Sequence, residues 1–210
     1  MANMKKSEWL IVTGLLLLSF VPSVGGLLRL VELGAGSGID FLPANPRVQN
    51  APLPVILHLF SSIPYCVIGA FQFLQSIRQN HLRWHKVSGR LLVLLGIVSA
   101  LSGLWMTHFY SFPESLQGNL LYVVRIFVSL FMVLFILLGL SSILQKRVLQ
   151  HRAWMIRAYA LGQGAGTQVL VAIPFLLAVG EPTSLVRDIL MTIAWVINIS
   201  VAEWIIRLKR

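Results

Sequence analysis

Five histidines and three arginines, Arg90, Arg125 and Arg157, are the residues of this chain best suited to chemistry in apolar surroundings. His85 and His151 each stand at the mouth of a long apolar run. Arg90 follows His85 by five residues, and Arg157 follows His151 by six. A b-type haem needs two axial imidazoles on facing helices, an apolar slot and cationic partners for its propionates. His85 and His151 are thus candidate axial ligands, and Arg90 and Arg157 candidate propionate partners. Gly89 and Gly96 would give room beside the ring, and Trp84 and Trp154 would pack over its edge. The unequal spacings turn the two arginines roughly 100° apart on their helices, so both need not face one ligand. His58 and His108 form a second candidate pair. His81, four before His85, shares its helical face and is the rival ligand. The bland alternative applies to all of them: His, Trp and Arg are ordinary at a bilayer interface, and arginine reaches outward to headgroups.

Arg125 differs, because it lies one to two turns inside an apolar run. It either snorkels to the surface or makes a buried contact with an anionic substrate, a haem propionate or an acidic side chain. Glu203 is the matching acid near the far end of the last run, where a nearby arginine is its simplest partner. Asn198 extends a polar track beside it. Zinc would need three or four clustered ligands, and His81 with His85 lacks the glutamate of an HExxH motif. No GxSxG, P-loop or dinucleotide fingerprint occurs. "GAGSG" at Gly34–Gly38 has no strand before it and reads as a loop. The sequence therefore assigns no enzymatic reaction.

The elements that must position these residues are membrane helices. Of 210 residues, 57% are hydrophobic and only 11% charged, with mean hydropathy +0.80. A soluble domain carries about 25% charged residues, so this chain has too little polar surface to coat a globule. Six runs are long enough to cross an apolar layer of roughly 30 Å: residues 8–28, 53–77, 87–108, 119–144, 154–179 and 185–208. None alternates as a barrel strand does. The expected fold is all-α: one integral membrane domain over residues 1–210, a six-helix transmembrane bundle with helices 2–5 as a four-helix core. The first run follows Lys5 and Lys6 and is read as a retained anchor, with Pro22, Gly25 and Gly26 bending or fraying its end. The lone cysteine, Cys66, excludes an internal disulfide.

Charge orients the bundle. The net charge is +10, but the basic residues gather at helix ends, and no nucleic-acid motif accompanies them. Lys5 and Lys6 begin the chain. Arg78, Arg83, Lys86 and Arg90 surround the second connection, Lys146, Arg147, Arg152 and Arg157 the fourth, and Arg207, Lys209 and Arg210 close the chain. Glu32, Asp40, Glu114, Glu181 and Asp188 fall on the other side, with Arg29, Arg47, Arg125 and Arg187. Six spans put both termini on the basic side, which the positive-inside rule makes cytoplasmic. The stretch from Arg29 to Pro52, rich in Gly and Pro, is expected to be an external loop or a lid over an outward cavity.

Two hairpins look alike. "SIRQNHLRWHKVSGR" and "SILQKRVLQHRAWMIR" share Ser-Ile, basic residues and His-x-x-Trp. An internal repeat would pack them about a pseudo-two-fold axis along the membrane normal; ordinary helix-end composition would give part of the same pattern. Gly89, Gly96 and Gly103 form a stripe, and "GQGAGTQ" sets Gly162 four before Gly166. Such stripes allow close helix contact or leave room for a flat group.

The run "GAFQFLQSIRQNHLRWHKVSGRLLVLLGIVSALSGLWM", together with "LQHRAWMIRAYAL", resembles the bacterial membrane proteins grouped as domain of unknown function 2306. The resemblance covers about His58 to Thr167 and implies a bacterial cytoplasmic (inner) membrane, but no activity. A more distant likeness is to the transmembrane di-haem cytochromes b, whose four central helices each supply a histidine. It implies His58, His85 and His151 as ligands. The fourth helix carries Arg125 where a ligand is required, and His108 belongs to the third.

Two function classes follow. One is a b-type haem protein passing electrons between a quinone, or another membrane redox partner, and an acceptor. The other is a small-molecule transporter, a sensor or a structural membrane subunit without cofactor. Either sits among membrane lipids, and either is compatible with a homo-oligomer.

Overall fold

The computed structural model describes residues 6–35 and 45–208. Lys5, Asp40, Lys209, Arg210 and most of the Gly- and Pro-rich stretch lie outside the described residues. All regular structure among them is helical: α1 (Lys6–Ala35), α2 (Pro46–Asn50), α3 (Pro52–Phe71), α4 (Gln75–Asn80), α5 (Leu82–Phe109), α6 (Asn119–Leu144), α7 (Val148–Gly162), α8 (Gly164–Val179) and α9 (Ser184–Arg207). Five of these are long and apolar enough to cross a membrane, and α7 with α8, bent by 45° at their junction, makes a sixth if the pair is one span. The protein is an all-α polytopic membrane protein. Its outward side chains are apolar, with Leu10, Leu17, Phe20, Leu144 and Leu177 exposed. Water would penalise so much contiguous apolar surface, whereas lipid tails match it.

Three boundaries differ from the sequence expectation. The first helix runs through Pro22, Gly25 and Gly26 to Ala35, so Arg29 and Glu32 are helical and pair with each other. The second span stops at Phe71, six residues short of the expected end. The chain bends at Leu74 and restarts as the short α4. The third begins five residues early, at Leu82.

The two hairpins turn differently. In the first, Gln72 Nε2 donates to Ser88 Oγ (2.7 Å) across α3 and α5. In the second, Lys146 adopts φ 61°. The Arg147 N–H reaches the Ser142 carbonyl and the Lys146 N–H that of Ile143, the bond pair of a Schellman stop.

The main buried cluster joins Tyr65 and Cys66 of α3, Leu92 and Ala100 of α5, Met132 and Ile136 of α6, and Ala158, Tyr159 and Leu161 of α7. Helices without a hydrophobic drive between them pack where small residues admit larger ones. A Cβ at Gly96 would lie 2.7 Å from both the Tyr65 ring and Ile136 Cδ1, and one at Gly162 2.7 Å from the Tyr65 ring. Gly166 lies directly against the Leu18 carbonyl, locking α8 to α1.

The basic residues of the two hairpin connections share one end, where Arg78 acts electrostatically on both His85 and Arg152. The Gln75 N–H bonds Glu8 Oε1 there (3.2 Å), joining the start of α1 to α4, and Arg157 binds Glu203 with both forks of its guanidinium. At the opposite, far end, Ser184 Oγ donates to the Glu114 carbonyl.

Candidate functional site

A cavity of about 410 Å³ opens between the helices. Its mouth is at the far end, among Asn45, Arg47, Tyr110 and Phe112, and it descends to Cys66, Met132 and Gln163. Each polar group in it is placed by its own helix. His58 lies on α3 against Gly103, where the absence of a side chain leaves α5 open: a Cβ there would be 3.5 Å from the imidazole. Nδ1 of His58 is 2.9 Å from the Ser99 carbonyl and 3.3 Å from Ser102 Oγ. Bonding to a carbonyl makes that nitrogen the donor, so the neutral ring keeps Nε2 as an acceptor.

Arg125 sits in the second turn of α6 and lines the cavity. One Nη1 hydrogen bond goes to Gln117 Oε1, and its guanidinium lies 5.4 Å from the Phe112 ring centroid. It contacts cavity and protein rather than snorkelling free. Arg47 stacks on the same ring at 4.7 Å. Its Nε donates to Asn45 Oδ1 (3.1 Å), and its Nη1 is buried with no partner among the described residues. Burial pushes the Tyr110 phenol up, keeping it the donor it is toward the Ala51 carbonyl.

Gln163 occupies the joint between α7 and α8. It is 3% exposed. Its Nε2 donates to Tyr159 OH (2.7 Å), and Tyr159 OH donates to the Cys66 carbonyl (2.6 Å). Oε1 of Gln163 is buried and has no hydrogen-bond partner among the described residues. Behind it, Thr167 Oγ1 donates to Asn198 Oδ1 (2.7 Å), and Asn198 Nδ2 donates to the Ala160 carbonyl (3.0 Å). The polar track expected at Asn198 runs along the bent span.

Asp188 holds the mouth together. It is 2% exposed and accepts the N–H groups of Gly118 (3.1 Å) and Leu121 (3.0 Å). Those are orphan donors of α6, whose first turn has no side-chain cap of its own. A carboxylate from α9 replaces the missing cap, and its charge also acts on Arg125.

At the basic end, the His151 ring acts electrostatically on His85. Nδ1 of His151 is 2.8 Å from the Gly139 carbonyl, which leaves Nε2 available. Nδ1 of His85 is buried without a partner among the described residues. The groups expected around a haem are placed as follows. Arg90 is exposed. Arg157 is engaged by Glu203 and lies 4.6 Å over the Trp154 ring. The space beside Gly96 is filled by Tyr65 and Ile136. His58 and His108 are separate: Nδ1 of His108, which is exposed, hydrogen-bonds Tyr122 OH (2.9 Å) on α6. His81 is exposed at the start of α5. Among the described residues, no three His, Cys, Asp or Glu side chains cluster for a metal ion.

Sequence reading missed the joint role of Arg47 and Phe112, the cap from Asp188 and the open acceptor on Gln163. Phe112 carries no signal, since nothing local says which arginines will flank it. Gln163 carried a weak one, as an amide in the middle of an apolar span.

Fold and cavity define a polytopic helical membrane protein with a polar-studded pocket opening at one end of the bundle. Residues 55–206 match the family described as Predicted membrane protein (DUF2306). That match spans well over half the chain, and the protein belongs to this family. No curated protein and no solved structure matches it. The likeness to di-haem cytochromes b gains no support from these comparisons.

Proposed function

We propose that this protein is a small-molecule transporter whose binding site is the far-end cavity. The carrying observation is the joint at Gln163: a span broken by 45° beside a cavity-lining amide whose buried carbonyl oxygen has no partner among the described residues. Interrupted helices at mid-bundle are where transporters build their substrate sites, because broken backbone is tolerated only where it is enclosed or lines a cavity. The four helices α3, α5, α6 and α7 frame the floor of that cavity. The charge pattern favours a cytoplasmic basic end, so the cavity opens away from the cytoplasm. The test is a thermal-shift screen of purified protein against anionic, neutral and cationic amphiphiles, followed by proteoliposome uptake of any that bind. A stabilising compound that is taken up, and that loses its effect in Gln163→Leu, supports the reading. Absence of a shift from every charge class rejects it.

A second reading, a b-type haem between His85 and His151 in an electron-transfer protein, is favoured by the electrostatic interaction of those two rings alone. Oxidised and reduced visible spectra of protein from haem-sufficient cells test it. A Soret band lost in both His85→Ala and His151→Ala supports it, and a well-folded preparation with no Soret band rejects it.

A further inference from the structure

Resting on the ligand-binding reading above, the two ends of the cavity name the class of ligand. The mouth holds two guanidinium groups on one ring, Arg47 at 4.7 Å and Arg125 at 5.4 Å from the Phe112 centroid. Among the described residues, ion pairs form at Arg29–Glu32, Arg157–Glu203 and Arg187–Glu181, and neither mouth arginine has one. Asp188 acts on Arg125 through its charge while its oxygens accept two backbone N–H groups, but among the described residues no ion-pair contact joins it to either mouth arginine. Nη1 of Arg47 has no partner among the described residues, and an oxyanion seated beside the ring would take charge-assisted hydrogen bonds from the two guanidinium groups.

The deep end has the opposite need, acceptors without donors. Gln163 spends Nε2 on Tyr159 OH, and its buried Oε1 has no partner among the described residues. His58 spends Nδ1–H on the Ser99 carbonyl and leaves Nε2. Helix α6 gives the scale. Gly103 faces both His58 and Ser129, which sets His58 level with Ser129; Gly162 meets Met132. At ~1.5 Å rise per residue, His58 lies about 6 Å and Gln163 about 10 Å deeper than Arg125. The wall between is largely apolar, with Leu59, Ile63, Met106 and Val128.

We infer that the cavity takes an amphipathic organic oxyanion with a hydroxyl or N–H donor at its far end. The anion sits between Arg47 and Arg125, and the donor meets Gln163 Oε1. The Arg125 side chain reaches toward Gln117 at the mouth, which adds to that depth along the helix, and a medium chain on the order of eight carbons is the matching probe.

The experiment is calorimetric titration of the full chain in nanodiscs with 8-hydroxyoctanoate, 8-hydroxyoctyl phosphate, octanoate, octane-1,8-diol and octylamine. The two hydroxylated anions should bind roughly tenfold tighter than octanoate, which lacks the donor, and than the diol, which lacks the charge; their ratio reveals the preferred head. Octylamine should not compete. Arg47→Gln should weaken every anion roughly tenfold. Gln163→Leu should erase the advantage of hydroxy acid over octanoate while octanoate binding persists. Equal binding of octanoate and 8-hydroxyoctanoate to the wild-type protein overturns the donor assignment, because water then serves Oε1. Diol or amine binding as tightly as the acids overturns the anion assignment and leaves the ligand-binding reading standing. These comparisons use the wild-type protein, so a poorly folding variant cannot mask the outcome. Binding by no compound of any charge class overturns both.

Discussion

Replacing Gly166 with Ala adds one methyl group where α8 touches α1. An ordinary Gly→Ala change inside a helix stabilises it by about 1 kcal/mol, since glycine gives up more backbone freedom on folding. At Gly166 the new carbon would overlap the carbonyl oxygen and carbon of Leu18. A carbon rests no closer than roughly 3.3 Å to a carbonyl oxygen, so α1 must retreat by about 1 Å. The obstacle is backbone, and no rotamer change relieves it. Overpacking of this kind costs about 1–3 kcal/mol, and a backbone obstacle belongs at the upper end. Net destabilisation should be about 1–2 kcal/mol. Gly25, on α1, has nothing within 4 Å of a built Cβ, so Gly25→Ala should show the propensity gain alone. The assay is unfolding in mixed micelles followed by far-ultraviolet circular dichroism, with both variants measured beside the parent. The reasoning fails if the two substitutions move the midpoint in the same direction.

Asp188→Asn should destabilise by about 1–2 kcal/mol, because a neutral amide accepts the α6 N–H groups less strongly than a carboxylate; Asp188→Ala should cost more in the same assay, and an unchanged midpoint for both would show that α6 needs no cap from α9. Lys146→Gly should stabilise by about 0.5 kcal/mol, as relief of a left-handed conformation exceeds the added chain entropy; a lowered midpoint would count against strain at that turn. Cys66 is buried, so single-cysteine reporters report cleanly. In intact cells Asn80→Cys and Gln150→Cys should resist an impermeant maleimide while Glu114→Cys reacts, and labelling at the first two would reverse the orientation.

Sequence alone determined the solvent and the architecture class. With 11% charged residues and long apolar runs, only helices in lipid satisfy the backbone, and that follows from composition and length. It also placed the basic charge at one end and marked Arg125, His58 and the Gln163 segment as unusual. Family membership was legible from short fixed runs such as "HRAWMIR". Tertiary structure decided what faced what. Gly96 and Gly103 look equivalent in the sequence, yet one admits Tyr65 and Ile136 while the other seats His58. Arg157 and Arg125 both lie near helix ends, yet one meets Glu203 from α9 and the other a cavity. The 45° break at Gln163 falls at no proline. Its setting is Gly164 against Trp195 and Gly166 against Leu18. Hydropathy and spacing report a residue's affinity for lipid or water, and these pairings depend on the rotation of each helix about its axis, which only packing against neighbouring helices sets.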